Sequence, residues 1–240
     1  MKRAWLTLLA GLTAAHFTAS AATLSGVVID AHTREPIAGA IVTIADRVTH
    51  TDAQGRFSSE ASGIETVKVR APGYGRIEAA ATDATPLTIS LPPFRARAVY
   101  LSAYGVTNAS LRDAAVKLAG ETTVNALVID MKGDRGMTPY RSAARIATGA
   151  AAHVGPHPPT LDDFQPIIDD LHRRGLYLIA RIVVFKDDPL ALAHPEWTVL
   201  GEDDQPWRDR EGLHWVDPFL PAVWRHNLDV AEEAAQAGFD

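Results

Sequence analysis

The chain has 240 residues, which is enough for one large domain or two smaller ones. Its apolar share of 47% and its charged share of 22% are ordinary for a folded, soluble protein. A formal net charge of −6, without a dense run of basic residues, argues against a nucleic-acid partner because phosphate binding requires a basic surface.

The N-terminus has the three-part pattern of a secretory signal peptide. Lys2 and Arg3 precede an apolar run over residues 4–12, and residues 19–21 (Ala-Ser-Ala) form a small-x-small cleavage site. The apolar run is too short to span a bilayer, and an uncleaved N-terminal anchor is the alternative. We therefore expect cleavage after Ala21, no membrane span in the mature chain, and a periplasmic or secreted protein. The absence of cysteine fits an exported protein whose core replaces disulfides.

Residues 22–91 carry short strand patterns separated by turn signals, which predict a β-sandwich. Asp52, in one of these turns, is interpreted as a backbone cap rather than a metal ligand. The predicted strands are residues 24–30, 41–44, 66–70 and 87–91, and the turns are residues 35–36, 51–55 and 72–75.

The same region resembles the carboxypeptidase regulatory-like domain. The matching stretches, in the expected order, are residues 26–30 (GVVID), 36–42 (PIAGAIV), 51–57 (TDAQGRF) and 71–74 (APGY). The resemblance implies an accessory module for stability or adhesion that carries no catalytic group. Two prolines then begin a stiff linker over residues 92–96.

Residues 97–240 alternate strand and helix patterns, which is typical of an α/β protein with parallel strands. The predicted strands are residues 98–104, 125–131 and 176–185, with helices after residue 108, over 160–174 and over 221–237, and a long loop up to residue 159. The repeat predicts part of a (β/α)₈ TIM barrel, a fold that needs about 250 residues. We expect the barrel to be represented only in part, with Asp240 opening the next strand.

Polar side chains stand at the predicted strand ends, where barrel enzymes place their chemistry. Asp130 interrupts an apolar strand, which indicates either substrate binding or a buried ion pair with Lys132 or Arg181. Arg181 either holds a catalytic carboxylate in its ionised form or neutralises a neighbouring aspartate. Tyr104 and Trp215 are candidates either for stacking on sugar rings or for the core. Lys186 and Asp187 belong either to the site or to a solvated ion pair at its rim. Asp217 belongs either to the site or to a turn that it caps.

No metal or cofactor site is predicted. His153 and His157 are four residues apart, but Gly155, Pro156 and Pro158 prevent the helix that would bring them onto one face. The sequence also has no Gly-x-Ser-x-Gly nucleophile elbow and no phosphate-binding glycine loop.

This half of the chain resembles a family of bacterial proteins described as putative glycosyl hydrolases, with a barrel related to the alpha-amylase clan. The matching stretches are residues 100–104 (YLSAY), 127–132 (LVIDMK), 180–187 (ARIVVFKD), 215–218 (WVDP) and 234–240 (AAQAGFD). In that family an aspartate and a Tyr-Val-Arg-Phe-Pro-like run follow on the next strand, and this sequence does not contain them. The resemblance therefore implies that the main catalytic carboxylates lie beyond Asp240 and that this chain alone is inactive.

Together these patterns predict an exported glycoside hydrolase that acts on a polysaccharide. Such cleavage usually needs two carboxyl groups that flank the scissile bond, one as acid and one as nucleophile or base. The alternative is a non-catalytic cell-envelope protein that binds glycan or another protein.

Overall fold

The computed structural model describes residues 22–61, 66–80, 86–153 and 160–240. The predicted signal peptide and His157 lie outside these described residues. The chain divides into two compact units, Met1–Arg95 and Ala96–Asp240, and each unit has its own apolar core.

The first unit contains two β-sheets packed on one core. One sheet has the order β4-β1-β7, in which β1 is antiparallel to β4 and parallel to β7; the other has the antiparallel order β3-β2-β5-β6. The strands are β1 Ala22–Asp30, β2 Ile41–Ile44, β3 Arg47–His50, β4 Arg56–Ala61, β5 Thr66–Arg70, β6 Ile77–Ala80 and β7 Leu87–Leu91. Alternate residues of both sheets, such as Val28, Val42 and Val69, are buried in the shared cluster.

The four predicted strands of this unit are present, and β3, β4 and β6 are additional. These three were missed because they carry few apolar residues; β6, for example, reads Ile-Glu-Ala-Ala and leaves alternate residues exposed. Asp52 accepts backbone hydrogen bonds from Gln54 and Arg56 through Oδ1, which is the geometry of a turn cap.

The second unit is a partial α/β fold with a three-stranded parallel sheet of order β10-β9-β8. The strands are β8 Ala98–Leu101, β9 Ala126–Lys132 and β10 Tyr177–Ile182. The helices are α1 Ala103–Thr107, α2 Ala109–Glu121, α3 Ala143–Ala147, α4 Gln165–Arg173, α5 Asp188–Ala193 and α6 Pro221–Ala237, with 3₁₀ turns at Ala150–His153 and Pro195–Trp197. No helix in the described part of the chain is long and apolar enough to cross a membrane.

The two faces of the parallel sheet differ in chemistry. Leu127, Ile129 and Met131 of β9 belong to the core cluster that contains Ile168 and Leu171 of α4. Because side chains alternate along a strand, the intervening residues Ala126, Val128, Asp130 and Lys132 point to the opposite face. The helix-covered face is therefore apolar, and the other face carries charged groups toward the carboxyl ends of the strands.

Two predicted strand boundaries in this unit are wrong. β8 ends at Leu101 because Ser102 caps α1 by accepting a hydrogen bond from the backbone N–H of Gly105 (3.1 Å). Tyr104 therefore lies on a short helix and not at a strand end. β10 ends at Ile182, three residues earlier than predicted, because a bulge at its end shifts the pairing with β9.

The predicted long loop before residue 160 is also partly helical, since it contains α3 and a 3₁₀ turn. Ser142 caps α3 by accepting a hydrogen bond from the backbone N–H of Arg145 (3.2 Å). α4 begins at Gln165, five residues into the predicted segment 160–174, because Pro166 is tolerated only in the first turn, where a missing N–H costs little. The bounds of α6 agree with the sequence, and Pro221 also stands in a first turn.

Candidate functional site

Three side chains from the three parallel strands meet on the polar face of the sheet. Arg181 of β10 lies directly opposite Asp130 of β9, and Tyr100 of β8 lies opposite Val128, two residues before Asp130. Residues opposite each other on neighbouring strands point to the same face, so all three side chains share that face. Each strand therefore contributes one member of the cluster Tyr100–Asp130–Arg181.

Asp130 is the centre of this cluster, and both of its carboxylate oxygens are engaged. Arg181 Nη1 lies 2.7 Å from Oδ1, and the hydroxyl of Tyr100 donates to Oδ2 at 2.6 Å. The guanidinium carbon of Arg181 stands 5.6 Å from the centroid of the Tyr100 ring. The side chain of Asp130 is 3% exposed and that of Arg181 is 41% exposed. The phenol and the guanidinium therefore form the accessible surface, and the carboxylate orients them from below.

The electrostatics keep both accessible groups protonated. Burial and the hydrogen bond to Asp130 raise the pKa of Tyr100 to about 12. The hydrogen bond to Asp130 also raises the pKa of Arg181. Tyr100 is thus neutral at neutral pH, and because its one O–H is donated to Asp130, its oxygen is left to accept a hydrogen bond. Arg181 is a permanent cation whose N–H groups suit it to bind hydroxyl or carboxylate oxygens.

A second charged cluster lies fully inside the unit. Lys132 Nζ lies 2.7 Å from Asp187 Oδ2, and Arg145 contacts the same carboxylate at 2.9 and 3.2 Å. None of the three side chains is more than 1% exposed. Burial alone would raise the pKa of Asp187, but attraction to Lys132 and Arg145 holds it below its usual value. The cluster has no access to a substrate, so its visible role is structural.

Asp187 therefore differs from both sequence interpretations, since it is neither an accessible rim residue nor the partner of Lys186. It caps α5 by accepting a hydrogen bond from the backbone N–H of Leu190 (3.1 Å). Lys186 points elsewhere and bridges Asp209 and Glu211, each at 2.9 Å. These hydrogen bonds, that of Asp209 first, raise the pKa of Lys186.

His226 of α6 lies beside the buried cluster, with Nε2 3.9 Å from Asp187 Oδ2. Burial lowers the pKa of His226 to about 4, and the nearby charge of Lys132 adds to this effect. His226 is 1% exposed, and its Nε2 has no hydrogen-bond partner in the described residues. The imidazole is therefore neutral at pH 7.

An aromatic cavity of about 700 Å³ lies beyond the end of β10. Its lining includes the predicted residues Trp215 and Asp217 together with Trp207, and the two indole rings meet at 71° with their centroids 6.3 Å apart. Trp215 Nε1 donates to Asp209 Oδ2 at 3.1 Å, and Asp217 Oδ1 accepts from the backbone N–H of Phe219 at 2.8 Å. Asp217 thus makes a turn contact and also faces the cavity.

The predicted candidates consequently fall into several places rather than one. Asp130 and Arg181 meet at the strand ends, Lys132 and Asp187 are buried together, and Trp215 and Asp217 line the cavity. Tyr104 is half-exposed on α1.

Sequence reasoning missed four residues of these clusters. Tyr100 lies on a predicted strand, which is the pattern that could have identified it. Arg145 lies in a predicted loop, where no pattern marks it. Asp209 and Trp207 lie in the polar segment before Trp215, where no periodic pattern marks them. No group of three or more histidine, aspartate or glutamate side chains in the described ranges is arranged to hold a metal ion.

Comparisons with known proteins match both halves of the chain. The sequence pattern of the family described as "Putative glycosyl hydrolase domain" matches residues 98–240, and that of the "Carboxypeptidase regulatory-like domain" matches residues 23–128. The crystal structure of a hypothetical protein from Ruminiclostridium thermocellum ATCC 27405 is similar, with 29% identity and a TM-score of 0.52 over 59% of this chain and 72% of that chain. No curated protein matches this sequence. Because the first pattern covers more than half of the chain, the protein belongs to the putative glycosyl hydrolase domain family.

Proposed function

We propose that this protein is an exported glycoside hydrolase that cleaves a polysaccharide by carboxylate acid–base chemistry. The observation that carries the proposal is the cluster Tyr100–Asp130–Arg181, in which one polar residue from each parallel strand lies at the carboxyl ends of the sheet and Asp130 accepts from the other two. In α/β enzymes this end of the sheet is where substrates bind. Family membership supplies the reaction class.

A (β/α)₈ barrel is part of the proposal. Each of the three strands is parallel to its neighbour and is followed by helix, as in a barrel. Along the other edge of β10, the backbone N–H of Asp240 donates to the carbonyl of Leu178 at 3.0 Å, and Asp240 Oδ2 accepts from the N–H of Leu178 at 2.9 Å. In this fold the polar face of the sheet would be the barrel interior, with the cluster at its catalytic end.

Asp130 would act as a positioning residue rather than as the nucleophile. A nucleophile or an acid needs an oxygen that reaches the glycosidic bond, whereas both oxygens of Asp130 are occupied and shielded. Arg181 and Tyr100 would instead hold sugar hydroxyls or keep a catalytic carboxylate ionised. Asp134, an exposed carboxylate in the loop after β9, is close enough to raise the pKa of both groups.

The occupation of both Asp130 oxygens also favours a second candidate, a non-catalytic glycan-binding protein of the cell envelope. Binding needs only the oriented guanidinium of Arg181 and phenol of Tyr100, with no carboxylate free to act as acid or nucleophile. Export is proposed for both candidates from the signal-peptide pattern of residues 1–21.

The experiment is hydrolysis of bacterial polysaccharides by protein expressed from its natural reading frame, measured as newly formed reducing ends. Asp130→Asn loses the charge that holds Arg181, so we expect activity to fall by about tenfold or more, as when positioned electrostatic groups are lost. Asp113→Asn, at an exposed position on α2, is the matched control and should keep full activity. Glycan binding without hydrolysis in the wild type would favour the second candidate. Unchanged activity in Asp130→Asn would show that the cluster Tyr100–Asp130–Arg181 is not part of the active site.

A further inference from the structure

We propose that the aromatic cavity beyond β10 binds glycan chains with free amino sugars, whose ammonium groups are cationic. The inference rests on the proposed function, because family membership is the reason to choose a glycan over another ligand. It goes beyond that function by naming the chemical class of the sugar and a binding subsite separate from the cluster Tyr100–Asp130–Arg181.

The cavity has the size and the walls of a binding site for a small ring. Its volume of about 700 Å³ lies within the range of about 300–1,000 Å³ usual for ligand pockets. Its rim presents Trp207, which is 44% exposed, and Phe219, which is 84% exposed. Leu200, also on the rim, is 54% exposed. Contiguous exposed apolar side chains of this size usually mark a binding surface.

The perpendicular indoles offer two kinds of contact to an amino sugar. The carbon-bound hydrogens of a sugar ring pack on the flat face of an aromatic ring, as other apolar groups do. An ammonium group on the same sugar gains a further cation–π attraction to tryptophan, the aromatic residue that binds cations best. The angle of 71° between Trp207 and Trp215 gives the cavity a corner in which both contacts are available at once.

The charge of the lining matches a cation. Glu196 and Asp217 line the cavity, and the described lining contains neither lysine nor arginine. Across residues 196–217 the sequence has seven acidic residues and two arginines. Lys186 pairs with two of the seven, Asp209 and Glu211, and the remaining five carboxylates outnumber the two arginines, which gives this segment a negative potential.

The lining carboxylate of Asp217 retains an oxygen for a ligand. Asp217 uses Oδ1 to accept the N–H of Phe219, and its Oδ2 makes no hydrogen bond to the described residues. Glu196 contacts Nδ1 of His194 through Oε1 at 2.9 Å and also accepts a hydrogen bond from its own backbone N–H, so its part in the lining is to add negative charge. A hydrogen bond from an ammonium group to such a carboxylate is charge-assisted, which makes it stronger than a bond to a sugar hydroxyl.

The cavity adjoins the sheet end that holds the proposed catalytic surface. The backbone N–H of Val216 donates to the carbonyl of Phe185 at 2.9 Å, and Lys186 pairs with Trp215 as an isolated β-bridge. These contacts fix the cavity wall to the residues that follow β10, the strand of Arg181. A polysaccharide seated there would therefore be retained beside the strand ends.

The test is calorimetric titration of the full chain with a fully deacetylated glucosamine hexamer and with its N-acetylated counterpart, at low and high salt. We expect the amino form to bind about tenfold more tightly, a difference that one charge-assisted contact supplies, and salt to weaken this advantage. Asp217→Asn should reduce binding of the amino form alone, and Trp207→Ala should weaken both forms. The matched controls are Asp113→Asn on α2 and Leu228→Ala on α6, an exposed apolar residue outside this cavity.

Equal affinity for the two hexamers, or tighter binding of an anionic polygalacturonate, would overturn the proposal. Tighter binding of a lysine hexapeptide than of the glucosamine hexamer would overturn it in favour of a protein partner. These readouts do not depend on hydrolysis. A chain that hydrolyses polysaccharide but binds neither hexamer refutes this inference alone, whereas one that binds the amino form without hydrolysis refutes only the catalytic part of the proposed function.

Discussion

Lys132, the last residue of β9, lies 2.7 Å from Asp187, and neither side chain has any exposure to solvent. Arg145 shares the same carboxylate, so one buried anion is the counter-charge of two buried cations. Burying ions is expensive, and attraction between them repays the cost only with close geometry and additional hydrogen bonds. Asp187 meets both conditions, because it also caps α5 through its bond to the N–H of Leu190. This carboxylate therefore joins the end of β9, helix α3 and the segment after β10.

Asp187→Asn should be among the most destabilising single substitutions in the second unit. It leaves Lys132 and Arg145 as buried cations without a counter-charge, a defect that typically costs about 3–5 kcal/mol. The measurement is urea unfolding followed by tryptophan fluorescence, since all five tryptophans except Trp5 lie in this unit. Asp170→Asn removes an exposed ion pair with Arg174 and should cost about 1 kcal/mol or less. Similar losses in the two variants would contradict the structural role of Asp187.

Gly136→Ala should destabilise the same cluster from the loop after β9. Gly136 has a φ of +68°, and a Cβ at this position would overlap Oδ1 of Asp187. Gly175→Ala is the control, because Gly175 has a φ of +77° but open space around its Cβ. The free energy of unfolding should therefore fall by about 1 kcal/mol in the control, because alanine disfavours a positive φ, and by clearly more in Gly136→Ala. Equal unfolding midpoints for the two variants would show that the loop moves away without cost.

Stability of the second unit should fall as the pH is lowered from about 6.5 to about 4. The pKa of His226 is about 4 in the folded chain, below the 6.5 of an unperturbed histidine. The unfolded state therefore binds the proton at a higher pH than the folded state does. The free energy of unfolding falls over this pH range by up to about 3 kcal/mol. Urea unfolding at stepped pH values measures the slope. His226→Gln should flatten it, and an unchanged slope in that variant would assign the effect to other groups.

Much of the fold follows from local sequence patterns, and the parts that do not follow depend on long-range contacts. The continuous apolar run of β9 and the proline at the start of α6 are local, and both elements lie where the sequence predicts them. The local pattern predicts a strand through Tyr104 because nothing next to Ser102 in the sequence indicates that it caps a helix.

The candidate site also contains residues that local patterns predict and residues that depend on long-range contacts. A polar residue within an apolar strand predicts that Asp130 has a partner, and Arg181 was one of two named. For Asp187, by contrast, the sequence suggests the adjacent Lys186 as a partner. The structure supplies Lys132 and Arg145, 55 and 42 residues away, and Arg145 lies in a segment that has no pattern of its own. A charged residue next to another in sequence is thus weak evidence for an ion pair, because the adjacent residues Lys186 and Asp187 turn to different partners.

Tyr100 and Asp130 should behave as a coupled pair. Tyr100→Phe removes the hydroxyl that donates to Asp130 Oδ2 at 2.6 Å and leaves a buried carboxylate oxygen without a donor, at a cost of about 1–3 kcal/mol. If Asp130→Asn is made first, the same tyrosine substitution should cost about 1 kcal/mol less, because the charge-assisted bond is already lost. Urea unfolding of the wild type, both single variants and the double variant measures this difference.

The control for this cycle is Tyr104→Phe, at a half-exposed tyrosine on the neighbouring helix α1. A surface substitution of this kind should change stability by about 0.5 kcal/mol or less, with or without Asp130→Asn. Additive losses for Tyr100 and Asp130 would mean that their 2.6 Å contact contributes no specific stabilisation. Asp130 would then orient Arg181 alone, and Tyr100 would meet substrate as an independent surface residue.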